Sequence, residues 1–156
     1  MTSSKQKRTP SARSAARLAA VQALYQQEMA GTALTHLLAE FHNHRLGAEL
    51  EDAQYLPAER DFFDDIVSGV DARRGEIDGL ITATLADGWT LERLDRPMRQ
   101  ILRAGVYELI ARADVPMGAV ITEYVDVAHA FYDKREAGFV NGLLDAVAKK
   151  VRQGAS

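Results

Sequence analysis

The chain has no cysteine, which excludes disulfides, thiol nucleophiles and structural zinc held by sulfur. No apolar run approaches the ~20 residues a membrane helix requires. The N-terminus is basic but lacks the apolar core of a signal peptide, the arrangement expected of a cytoplasmic protein. Sustained apolar–polar alternation is missing, as are N-G or D-G hairpins between such runs, so no strand is expected. There is also no glycine-rich phosphate loop, no G-x-S-x-G elbow and no H-E-x-x-H, and nothing calls for an enzyme or a cofactor. Excess positive charge is absent too: the net charge is −3, so composition alone does not announce nucleic acid.

What the chain does have is helical periodicity throughout its 156 residues, a length that can bury roughly two-thirds of the unfolded surface in one domain. A basic tail over 1–11 precedes a helical domain over 12–156. Lys5, Lys7, Arg8, Arg13 and Arg17 all precede the first acid, Glu28. Ser11 reads as the N-cap of a helix over 12–29, whose stripe is Leu18, Val21, Gln22, Tyr25 and Met29. Arg13 and Arg17 lie one turn apart beside it, a pattern suited to phosphate contact. Cations at a helix N-terminus oppose the macrodipole by a few tenths of a kcal/mol, a small cost that function would explain.

A second helix is expected over 34–46, capped by Thr32 or Thr35, with Leu34, Leu37, Leu38 and Phe41 inward. His36, His42 and His44 with Glu40 look like loose metal ligands, but two histidines two residues apart do not share a helix face, and no metal site is assigned. A loop over 47–58 leads to a long amphipathic segment over 59–85, interrupted at Arg73-Arg74-Gly75. Its acids Asp61, Asp64, Asp65 and Asp71 read as a solvated face. Trp89 and Leu91 read as a lid on the core. The segment 96–112 has apolar residues on two sides (Met98, Ile101, Leu102, Gly105 and Leu109, then Val106 and Ile110), so it should be central, with Arg103, Tyr107 and Glu108 as its polar members.

Pro116 starts the next helix, with Val120, Ile121, Tyr124, Val125, Ala128 and Tyr132 on its stripe. After Gly138 the last helix carries Val140, Leu143, Leu144, Val147 and Val151. Phe139 falls at the edge of that stripe and Asn141 points away from it. Two readings stay open for Phe139. It caps the core, or it is a flat aromatic beside Arg135 and Lys150 that stacks an unpaired base. The fold expected is all-α: six or seven helices forming two three-helix bundles packed as one body.

The pieces R-x3-R-x3-V-Q-A-L-Y (Arg13 to Tyr25), L-R-A-G-V-Y-E-L (Leu102 to Leu109), Val115-Pro116, I-T-E-Y-V-D-V-A (Ile121 to Ala128) and F-V-N-G-L-L-D (Phe139 to Asp145) occur in one chain. In this order they resemble the NusB family of bacterial transcription antitermination factors, over about residues 12–149. The resemblance implies an RNA-binding adaptor. It would bind boxA-type single-stranded leader RNA of ribosomal RNA operons together with NusE, a small-subunit ribosomal protein, within an antitermination complex on RNA polymerase. Carried over by position, Arg13, Arg17, Arg135 and Phe139 meet RNA, with Lys7 and Arg8 added from the tail. Gln22, Tyr25 and Met98 meet the partner. The chain departs from the family pattern at Ser14-Ala15, Thr122, Gly138 and Met98. Two other classes are a helical protein–protein module without RNA binding and a DNA-binding regulator; no basic recognition helix after a tight turn supports the latter. A homodimer through the arginine-bearing helix would mask RNA binding until a partner arrived, and its signature would be a size that changes with concentration.

Overall fold

The computed structural model describes residues 11–46 and 57–152. Lys7 and Arg8, the tail, and residues 47–56 of the loop expected over 47–58 lie outside them; residues 57 and 58 already belong to a helix. The described residues form seven α-helices and no strand. These are α1 (Ala12–Ala30), α2 (Leu34–Glu40), α3 (Pro57–Ala72), α4 (Arg74–Thr84), α5 (Arg96–Ala111), α6 (Met117–His129) and α7 (Lys134–Val151). A π-helical turn (Phe41–Leu46) extends α2, and a 3-10 turn (Leu91–Arg93) precedes α5.

Local chemistry explains the ends. The Ser11 hydroxyl accepts from the Ser14 N–H at 3.0 Å, closing the N-terminus of α1. Gly31 closes the other end at φ 66°, a left-handed conformation that glycine adopts without strain, with its N–H on the Gln27 carbonyl. At α2 the cap is Ala33, with no side-chain bond, so neither Thr32 nor Thr35 acts as expected. The long amphipathic segment does divide, at Arg73. In the π turn Phe41 stacks on Phe63 of α3 at 5.6 Å, and the His42 ring bonds Asp64 at 2.6 Å.

The first bundle is α1, α2 and α3; the second is α5, α6 and α7, with α4 laid against α5 and α7. α5 belongs to both, packing on α1, α3, α4, α6 and α7. Its direction sets the register of the rest. α1 runs antiparallel to it, since Arg17 reaches Glu108 near the end of α5 while Glu28 meets Arg99, Gln100 and Arg103 near its start. α7 runs parallel: Tyr132, just before it, bonds Asp95 at the head of α5, and Arg152, just after it, donates to the carbonyls of Glu108, Leu109, Arg112 and Val115.

Three expectations need correction. Of the expected stripe of α1, Val21 is buried and Leu18 packs on the core, but the rest of the buried face is Ala16, Ala19, Ala20, Ala23 and Leu24, while Tyr25 and Met29 face outward. Small side chains let α1 lie close against α3 and α5, which a count of bulky residues does not see. Trp89 is no lid: it is 47% exposed, with the Arg93 guanidinium over its ring at 4.8 Å, and Leu91 alone is buried. Asp64, Asp65 and Asp71 are not merely solvated. They accept from His42, from Tyr107 and Arg112, and from Gln27 respectively, so they tie helices together. The polar members expected on α5, Arg103, Tyr107 and Glu108, are buried together with Gln100 and satisfied by partners on α1, α3, α4 and α6.

Candidate nucleic-acid interface

The first two turns of α1 place Arg13 and Arg17 one turn apart, as their spacing requires, but the fold gives them different surroundings. The Arg17 side chain is buried. Its Nε and one terminal nitrogen donate to the two oxygens of Glu108 at 2.8 and 3.0 Å. Glu123 of α6 lies 3.4 Å from the other terminal nitrogen. Burial works against the charged guanidinium, but the bond and charge of Glu108 outweigh it and hold Arg17 ionised above its ordinary range. The hydroxyl of fully buried Tyr124 donates at 2.6 Å to Glu108 Oε2, the oxygen that also accepts from Arg17 Nε. Burial first, then the Glu108 charge, push that hydroxyl well above the usual tyrosine range.

Arg13 is held differently. Its guanidinium rests on the ring of Phe62 at 4.2 Å, and among the described residues it has no hydrogen-bonded acid. Arg17 and Arg112 approach the same ring at 4.9 and 5.0 Å. Arg112 is spent on Asp65 and Asp114, as Arg17 is on Glu108. A ring packed under a guanidinium holds it without using any of its hydrogen-bond donors. Phe62 was legible only as a core residue; its role as a platform depends on α3 crossing α1.

On α7, Arg135 and Phe139 are exposed one turn apart, Phe139 at 39%. The reading of Phe139 as a core cap is therefore set aside. Lys150 shares its side of the helix but stands three turns further on, donating to Thr84 at 3.2 Å, and is not its neighbour. Phe131, ahead of α7, is equally exposed and packs obliquely on Tyr132. Nothing in its local spacing had singled it out. Arg13 stands level with the last turn of α5 and Phe139 with its first half, so the two lie on the order of 15–20 Å apart along the helix axis at ~1.5 Å per residue.

The candidate partner residues divide as well. Tyr25 is 38% exposed on α1, with Gln22 partly buried one turn before it and Met29 exposed one turn after. Met98 is not presented at all. At 4% exposure it faces inward with Ile101 and Leu102, because it falls on the apolar side of α5 in the turn begun by Pro97. Among the described residues no group of three acids, histidines or cysteines could hold a metal ion, and no helix is long and apolar enough to cross a membrane.

With this geometry in view, the comparisons with known proteins agree with one another. The family model described as "NusB family" matches residues 14–149. The transcription antitermination protein NusB of Novosphingobium aromaticivorans is 72% identical over 141 residues, covering 90% of this chain and 95% of that one. Among solved structures, the antitermination factors NusB and NusE in complex with double-stranded RNA include a chain with TM-score 0.73 and 26% identity, covering 89% of this chain and 97% of that one. T. maritima NusB aligns with TM-score 0.69 and 29% identity over 92% of this chain and 94% of its own. The chain belongs to the NusB family.

Proposed function

We propose that this protein is a non-catalytic RNA-binding adaptor of transcription antitermination, acting in the cytoplasm. It binds boxA-type single-stranded leader RNA of ribosomal RNA operons together with NusE, and the pair joins the antitermination complex on RNA polymerase. Residues 12–156 serve as one domain and the basic stretch 1–11 as an arm that adds Lys7 and Arg8 to the RNA contacts. The observation that supports this best is Arg13, a guanidinium resting on Phe62 with no hydrogen-bonded acid among the described residues and preceded by further cations. At the other end of the same body Arg135 and Phe139 offer a cation and an exposed ring. A single strand crossing from one to the other meets phosphate contacts at its start and a stacking surface at its end. Few cations on a net acidic chain make binding weak and salt-sensitive unless a second RNA-binding protein holds the same strand. Tyr25 and Gln22, with Met29 beside them, form the surface for that partner.

The test is binding of a boxA-like single strand, and of the matching duplex, with and without NusE, at low and moderate salt. The unaltered chain is compared with an Arg13→Ala/Phe139→Ala variant. Binding that tightens with NusE, weakens with salt and drops at least tenfold in the folded variant supports the adaptor reading. Absence of RNA binding in every arm, with NusE still captured, would leave the chain as a protein–protein module. The outward-facing Tyr25 and Met29 are the observation that favours this second reading.

A further inference from the structure

Arg17 carries the charge expected of an RNA contact, yet the fold spends it inside. Both Glu108 oxygens and one Glu123 oxygen surround its guanidinium. Glu123 also accepts from the Ser14 hydroxyl at 2.7 Å. The cluster thus joins the first two turns of α1 to α5 through Glu108 and to α6 through Glu123, with Tyr124 closing it from below. It also supplies what α1 lacks. No acid stands in the first turn of α1, so its exposed N–H groups and Arg13 have no negative charge beside them on their own helix. Glu123, reaching over from α6, provides one where it complements the dipole. One turn back along the helix, the same two turns set the position of Arg13 over Phe62.

We propose that Arg17 is a positioning residue rather than a phosphate contact: clamped by Glu108 and Glu123, it fixes the start of α1 so that Arg13 is held on Phe62 in the orientation that meets RNA. This rests on the RNA-binding reading above. It has a consequence that direct contact does not share. Arg13 and Arg17 act as one unit, so removing both does no more than removing either.

Binding of a boxA-like single strand in the presence of NusE, measured across a salt series, tests this with five variants: Arg13→Gln, Arg17→Gln, the double variant, Arg17→Lys and Glu123→Ala. Circular dichroism reports the fold. Losing one phosphate contact on a single strand lowers the slope of log affinity against log salt by about 0.7. Arg13→Gln and Arg17→Gln should each show that drop with a loss of roughly five- to tenfold, and the double variant should match the single ones. Losses that multiply, with a slope lowered by about 1.4 in the double variant, overturn the proposal. Arg17→Lys keeps the charge but not the two-pronged contact with Glu108, and should bind as poorly as Arg17→Gln; affinity near that of the unaltered chain overturns the proposal.

Glu123→Ala decides the matter if the Arg17 variants do not fold. Deleting a negative charge near bound RNA should tighten binding if charge alone matters. Loss of the clamp should weaken it about threefold, and a gain overturns the proposal. Failure of the underlying RNA reading looks different: Arg13→Gln then binds like the unaltered chain, and Arg17 has nothing to position.

Discussion

Glu108 has no solvent exposure and a carboxylate that accepts from Arg17 twice and from Tyr124 once. A buried carboxylate tolerates the loss of a donor badly, because the oxygen left behind has no water to turn to. Tyr124→Phe removes one donor with almost no change of shape and should lower stability by about 1.5–3 kcal/mol, read from urea unfolding. A loss below ~0.5 kcal/mol would mean that the second oxygen bond is not needed. Of these residues the sequence showed identity and spacing but not surroundings. Arg13 and Arg17 look alike there, and what separates them is Glu108, 91 positions away. Met98 was likewise placed at a partner surface by resemblance, although its own position on the apolar side of α5 was enough to send it inward. Trp89 fails for the opposite reason: a large aromatic beside a core leucine invites burial, but the turn at Gly88, with φ 88°, carries it out to Arg93.

At the scale of elements, two glycines within helices make a contrast. A Cβ at Gly69 of α3 would sit 2.2 Å from the ring of Tyr107 on α5, and that ring is tethered by its hydroxyl to Asp65 at 2.7 Å. Gly69→Ala should therefore cost about 1–3 kcal/mol of packing strain, partly offset by the ~1 kcal/mol gain in helix propensity, and lower the melting temperature. A Cβ at Gly138 of α7 meets nothing within 4 Å, so Gly138→Ala should raise stability by about 0.5–1 kcal/mol. Paired thermal melts check both signs, and a stabilised Gly69→Ala would mean that α3 and α5 can part without cost. Helices were the most legible level. Periodicity located the helices, the break near Arg73, and the central place of α5 with its two apolar faces, but it began the last helix after Gly138, whereas α7 starts at Lys134, and it ran the stripe of the helix before it to Tyr132, past the end of α6 at His129. It misread part of the orientation of α1, where four alanines share the buried face with Val21 and Leu24 and Tyr25 and Met29 turn outward. The polar interior of α5 was also hidden, since its partners Glu28, Asp78 and Asp65 come from helices remote in sequence.

For the molecule as a whole, three tyrosines link stability to pH. Burial and the bond to Asp65 push the Tyr107 hydroxyl up to about 12. Burial and neighbouring carboxylates raise Tyr124 and Tyr132 as well, through Glu108 and Asp95 respectively. An unfolded tyrosine releases its proton near pH ~10. Above that the unfolded chain loses protons that the folded chain keeps, so the stabilisation present below pH ~10 is lost as pH rises toward the folded values. The melting temperature should stay level to about pH 9 and then fall steeply, and Tyr107→Phe should make the fall shallower. An unchanged melting temperature up to pH ~11 would show that these hydroxyls are not held as described.

Arg152 sets an order of events during synthesis. The carbonyls at the end of α5 are complete as soon as Val115 has left the ribosome, but the guanidinium that closes them follows 40 residues after Arg112. Until then those carbonyls lack that donor, and the helix at the centre of both bundles gains its side-chain cap last.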